Sequence, residues 1–461
     1  MNEKKQRKAG LFDPDFWHAV IPLALPIALQ NLLMTSFRLI DTLMIGQLGD
    51  TSIAAVGLAG QVSFFVELLC FGLASGSAVF IAQYHGAGNR DGVLRSYGAT
   101  MMFALPVGLV ATLLCTLIPE TAMRLFTEET VLIEEGARYL RFASWSFFGI
   151  SLYQGMCITL RCTEQVRIPM VTSIVSAVSN AVLNYVLIFG VGPFPEMGVA
   201  GAGLATAITA LMNPILMLVI SIVQRNILIA PLKKLLDVKG FLGEYWKRVL
   251  PVLMNEALWS LSVVGLNMVF GRMGADNYAG LTVFRTVENI VFVFFVGVCN
   301  ASNILVGTRI GAGDFELGKS YAKRFLLLAP IMGVILGALL IPLRGPVLSL
   351  FDISSSAHRT AMLLLLMYAV DVGIRNIPYF CVVGIFRAGG DTRIGLFGDI
   401  GTMYLLVLPV TAVCGLVLKL PFLTTYLIML IVDDLSKMLI YVPYFFKMKW
   451  IQPVALNESA E

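Results

Sequence analysis

Two carboxylates, Asp41 and Glu256, lie inside long apolar runs of this chain. A charged side chain at the centre of a membrane-spanning helix costs about 2.5–3.5 kcal/mol on insertion scales, so each needs a reason to be there. One reason is ion coupling. A carboxylate exchanged between a dry and a wet setting binds and releases a proton or metal cation, and that exchange does work on a conformation. Arg38, three residues before Asp41 in SFRLIDTLMIG, supplies another. On a helix the two share a face, and an Arg38–Asp41 pair would hold the carboxylate ionised. Both hold together if Arg38 takes over when the cation leaves.

The same spacing test sorts the other buried charges. Arg285 and Glu288 stand three apart, Asp371 and Arg375 four apart, and Lys437 follows Asp433 and Asp434 by four and three. Each set is expected to neutralise itself along one helix. Glu67, Glu256 and Asp399 have no base at such spacing. Glu256 follows LPVLMNE, and subtracting 225 lands on Asn31, so the two leading helices carry polar groups at matched depth. Asn180 and Asn184, four apart, would hydrogen-bond across helices or line a cavity, and Gln61 and Asn289 read alike. The 21 Met and 29 Phe residues suit an adaptable apolar cavity, although most are expected to pack or face lipid.

The elements that must position these groups follow from composition. Of 461 residues, 57% are hydrophobic and 13% charged, against about a quarter charged in soluble domains. Apolar windows of about twenty residues predict twelve transmembrane helices, near 19–46, 53–82, 96–118, 131–160, 168–190, 199–223, 246–271, 279–307, 321–343, 358–386, 394–418 and 421–446. The first is too long for a signal peptide. With the N-terminus inside, Lys and Arg in the loops favour the inner face about threefold, which predicts both termini cytoplasmic.

Internal similarity divides the chain. IGQLGDTSIAA at 45–55 matches FGRMGADNYAG at 270–280, and QYHGAGNRDG at 83–92 matches TRIGAGDFEL at 308–317, both 225 residues apart. LRCTEQVR at 160–167 matches FRAGGDTR at 386–393, 226 apart. The expected fold is an all-α integral membrane protein of two homologous six-helix bundles: an N-terminal half over 1–223, a basic linker over 224–245 on the inner face, and a C-terminal half over 246–461. Repeats of this parallel kind place substrate near the midplane and alternate access by rocking.

Other chemistry is excluded. Seven cysteines show no disulfide spacing and three histidines are too scattered for a zinc site. No nucleophile–base motif or HExxH-type motif supports an intramembrane enzyme. The net charge of +4 resides in loops and implies no nucleic-acid partner.

Three stretches carry a family resemblance. LALPIALQNLLMTSFRLIDTLMIGQLGDTSIAAVGLA, SNAVLNYVLIFGVGPFPEMGVAGAGLATAI and GIFRAGGDTR resemble, in that order, signatures of the multidrug and toxic compound extrusion (MATE) family, over nearly the whole chain. The resemblance implies a cation-coupled antiporter in the cell membrane, exporting organic and often cationic compounds against inward proton or sodium movement. It implies a monomer among lipids, with no cofactor beyond the coupling ion and no resident metal except sodium at Glu256. By position, Asp41 matches the first-helix coupling acid and Glu256 the seventh-helix glutamate of one branch. Asn180 and Asn184 match fifth-helix polar positions, and some members have Asp where this chain has Asn184. Arg38, Gln61, Asn289 and Asp371 complete the expected cavity. The alternative within the wider superfamily is a lipid-linked sugar flippase, which the few and paired intramembrane bases disfavour.

Overall fold

The structure is a computed structural model that describes residues 13–351 and 353–454. The two ends on which the expected cytoplasmic placement rests, 1–12 and 455–461, lie outside the described residues. Among the described residues the backbone is helical, with one isolated bridge between Gly390 and Ile451.

The order is α1 (Pro14–Gly46), α2 (Asp50–Gly86), α3 (Arg90–Leu117), α4 (Pro119–Arg124), α5 (Thr130–Ala143), α6 (Trp145–Cys162), α7 (Arg167–Phe189) and α8 (Val199–Gln224). A one-turn α9 (Leu232–Leu235) leads to α10 (Leu242–Gly271), α11 (Ala275–Gly311), α12 (Phe315–Leu348) and α13 (Ser355–Tyr379). The last runs through a π-helical stretch at Phe380–Phe386 into α14 (Arg387–Gly389). Then come α15 (Arg393–Thr402), a π stretch at Met403–Val407, α16 (Leu408–Ala412), another at Val413–Val417, and α17 (Phe422–Phe446).

These segments carry apolar side chains around most of their circumference, the pattern of helices whose surroundings are apolar on every side. Among the described residues, ten helical passes are long and apolar enough to cross a membrane. The remaining two expected passes show why they fall short. The run over 131–160 breaks at Ser144, giving α5 and α6, and α17 carries Asp433, Asp434 and Lys437.

The repeat is visible in the turns. Gly49 and Gly274 both have positive φ (105° and 118°), as do Gly88 and Gly313 (69° and 77°), a conformation glycine adopts without steric cost. Asn89 caps α3 by accepting from the Gly92 amide, and Asp314 caps α12 by accepting from the Leu317 amide. Each site in the second half lies 225 residues after its counterpart.

The chain forms two compact units that depart from the sequence halves at three places. Of the described residues, one unit contains 29–81 and 89–250; the other contains 13–28, 82–88, 251–351 and 353–454. α1 thus changes unit between Ala28 and Leu29, and α10 between Leu250 and Pro251. The reason is local packing. Near the start of α1, Phe16 packs edge-on against Tyr321 and Phe325 of α12, and Arg324 lies 3.0 Å from Asp13. Near the end of α2, Gly86 lies against the Thr308 backbone and Gly311 against that of Gln83, contacts a Cβ would block.

The linker contains the one-turn α9 and the first residues of α10. It packs on the first of these units, with the Leu235 backbone against Gly98, and leads into Tyr245, which is fully buried. Tyr245 stacks on Phe80 and shares a 2.7 Å hydrogen bond with Ser77.

Candidate functional site

Asp41 sits near the end of α1, half-buried. Its Oδ1 accepts a hydrogen bond from Asn184 Nδ2 of α7. The same amide donates to Asn180 Oδ1 at 3.2 Å, and Asn180 Nδ2 donates to Thr209 Oγ1 of α8 at 3.3 Å. The four-residue spacing of the two asparagines puts both on one face of α7, and the structure brings that face to Asp41 of α1. Tyr139 of α5 stands within electrostatic range of Asp41.

The Arg38–Asp41 pairing is not what forms. Arg38 Nη2 lies 2.9 and 3.2 Å from the two Glu67 carboxylate oxygens of α2. Among the described residues no Lys or Arg is in ion-pair contact with Asp41. Glu67 has no base on its own helix and draws the guanidinium across, because the long arginine reaches a neighbouring helix as readily as the next turn. Asp41 therefore meets a neutral amide, with Arg38 one turn away as a source of field.

Similar exchanges occur in the other unit. Glu288 pairs with Arg375 of α13 at 3.1 Å, not with Arg285, which donates to Asn267. Lys437 pairs with Asp433 at 2.7 Å as its spacing predicts. Asp434 of α17 stands instead within electrostatic range of Asp371 of α13.

Glu256 has a partner that helix spacing could not reveal. Arg387, only 2% exposed, donates through Nη2 to Glu256 Oε1 at 2.8 Å. Asp399, the third acid without a local base, accepts from Tyr441 Oη at 2.6 Å and from Asn255 Nδ2 at 3.3 Å. Gln61 on α2 and Asn289 on α11 are exposed. Asp41 and Glu256 fall in different units.

Sequence reasoning missed Arg387 as the partner of Glu256. The signal for Arg387 and Arg161 was present, since the two occupy equivalent places in FRAGGDTR and LRCTEQVR. The π-helical stretch before Arg387 widens the helix, and α11 meets the carbonyls there. Asn303 Nδ2 donates to Val383 O at 2.8 Å, and Ser302 Oγ donates to Gly384 O at 3.4 Å. No group of three or more His, Cys, Asp or Glu side chains among the described residues could hold a metal ion.

Comparison with known proteins gives two kinds of match. The sequence model of the MatE family matches residues 26–186 and again 251–413. The "Probable multidrug resistance protein NorM" of Thermotoga maritima is 26% identical over 346 residues, 73% of each chain. The "Probable multidrug resistance protein YoeA" of Bacillus subtilis is 27% identical over 368 residues, covering 77% of this chain and 78% of that one. Among solved structures, a MATE protein in the bent conformation superposes with a TM-score of 0.85 at 18% identity, over 97% of this chain and 98% of that one. A MOP superfamily transporter from Pyrococcus furiosus, whose binding pocket is described as of reverse polarity, gives 0.85 at 19%, over 95% and 96%.

Proposed function

The chain belongs to the MatE family, and from that premise we propose that this multi-pass efflux transporter is an antiporter driven by inward movement of a cation, with Asp41 as the group that binds it. One observation carries the reading. Asp41 lies in an apolar helix, is hydrogen-bonded by the neutral Asn184, and among the described residues is not in ion-pair contact with any base. A carboxylate with no base in contact gains a partner charge when it takes up a proton or sodium ion.

The same carboxylate attracts an organic cation, whose aromatic part Tyr139 and neighbouring apolar side chains receive through cation–π and dispersion contacts. Competition between coupling ion and substrate for one anionic group then produces exchange. Substrates of this class match the multidrug resistance named for the relatives. We place the transporter in the cell membrane as a monomer with both termini cytoplasmic. The flippase reading has less support, because most intramembrane bases are offset by acids: Arg38 by Glu67, Arg375 by Glu288, Arg387 by Glu256 and Lys437 by Asp433.

The test is efflux of a fluorescent organic cation such as ethidium from reconstituted vesicles, with proton and sodium gradients imposed separately. Export under one gradient and not the other identifies the coupling ion. Absence of export under both gradients, or export by Asp41→Asn at the wild-type rate, overturns the reading.

A further inference from the structure

The Arg387–Glu256 contact has a twin. Arg161 Nη2 donates to Gln30 Oε1 at 2.8 Å, and Arg387 Nη2 donates to Glu256 Oε1 at 2.8 Å. In both, the partners are 131 residues apart in sequence. Each joins the leading helix of a half, α1 or α10, to the arginine that ends the repeated motif's helix.

The location gives the contact a use. Gln30 follows Pro26 by four residues, and Glu256 follows Pro251 by five. A proline within a helix removes a backbone hydrogen bond and marks a point where the helix bends. Both helices change unit near that proline, after Ala28 and before Pro251. Each arginine therefore grips its helix within two turns of the crossing. Gln30 is held on its other side too, its Nε2 donating to Tyr153 Oη at 2.6 Å and Ser173 Oγ at 2.8 Å.

We propose that the two contacts are one positioning device built twice, which fixes each leading helix just past its crossing point. In this device Glu256 serves as acceptor and counter-ion for Arg387, and does not take up the coupling cation. The difference between the acceptors follows from burial. Arg161 is half-buried and makes do with an amide, whereas Arg387 is 2% exposed and calls for an anion. Geometry alone requires only an oxygen acceptor, as Gln30 demonstrates. The device goes beyond the antiport reading and depends on it only for its export readout.

The experiment is a double-mutant cycle on the full-length transporter, with export, melting temperature and cation dependence as readouts. Arg387→Met alone strands a half-buried carboxylate and Glu256→Leu alone a buried guanidinium, so each single variant is expected to slow export about tenfold and to lower the melting temperature. The double variant Glu256→Leu/Arg387→Met is expected to recover both to within about threefold of wild type, because an apolar pair replaces the ion pair. Glu256→Gln is expected to keep the wild-type pH and sodium profiles of export while melting lower.

A double variant that folds and inserts but stays as slow as the single variants overturns the proposal, as does a shifted cation profile in Glu256→Gln. Infrared difference spectra of wild type against Glu256→Gln give a readout free of export. The proposal expects no protonated-carboxyl band that responds to pH or sodium, and such a band would overturn it even if the antiport reading itself had failed.

Discussion

Arg38 holds Glu67 across the α1–α2 contact at 2.9 Å and leaves Asp41, three residues further along its own helix, to the amide of Asn184. The partition sets what each group can do. Glu67 is neutralised within the protein, while Asp41 has no Lys or Arg in ion-pair contact among the described residues.

Asp41→Asn removes that charge and keeps the shape, and its neighbour Asn184 can re-pair by flipping its amide. Gradient-driven export is expected to fall about 100-fold while insertion and melting temperature stay near wild type. Vesicle efflux with a parallel melting curve checks this. Loss of folding together with export would assign Asp41 a structural role instead.

Glu67→Gln frees Arg38. The guanidinium is then expected to turn to Asp41, three residues along the same face, and to compete with the coupling cation. Export should slow about tenfold, and a second change, Arg38→Gln, should restore it. Raising the imposed gradient should also recover part of the rate in the single variant, since competition is overcome by the competitor. A single variant indistinguishable from wild type would show that Arg38 does not reach Asp41.

Tyr245→Phe deletes the hydroxyl that meets Ser77 Oγ at 2.7 Å, within a chain that continues to Thr100 Oγ1, also 2.7 Å from Ser77. All three side chains are buried. The expected cost is about 1 kcal/mol, the usual net value of one buried hydrogen bond. Thermal unfolding in detergent measures it, and because Ser77 retains the Leu73 carbonyl, no stranded polar group should add to the loss.

Gly311→Ala places a methyl against the backbone of Gln83, where the crossing of α2 and α11 leaves no room. Neither backbone can yield as a flexible side chain would, so a loss of about 1–3 kcal/mol is expected, as for overpacked cores. Gly313→Ala nearby meets no such obstacle within 4 Å, but its φ of +77° makes it strained for a different reason. A better control is Gly57→Ala, where the space is open and the helix gains from alanine. Equal melting temperatures for Gly311→Ala and Gly57→Ala would contradict the packing argument.

Composition and repetition settled the class of this protein without coordinates. Long apolar runs admit only helices in a membrane, because each backbone polar group must be satisfied within its own segment. The 225-residue spacing of the glycine turns, Gly49 with Gly274 and Gly88 with Gly313, follows from the same local chemistry used twice. That Asn180 and Asn184 share a face of α7 was legible in their spacing, whereas the meeting of that face with Asp41 was not.

Which charge meets which was decided only by the tertiary structure. Lys437 took the partner its helix offered, Asp433, but Arg38, Arg375 and Glu256 each found theirs on another helix. Spacing along one helix enumerates partners within a turn. A long arginine beside a neighbouring helix has others as near, and burial favours whichever contact removes an unpaired charge from apolar surroundings. The crossing of α1 and α10 from one unit to the other was likewise invisible in sequence. It depends on where the ends of these helices pack, Phe16 on α12 and Tyr245 on Phe80, and not on any property of the helices themselves.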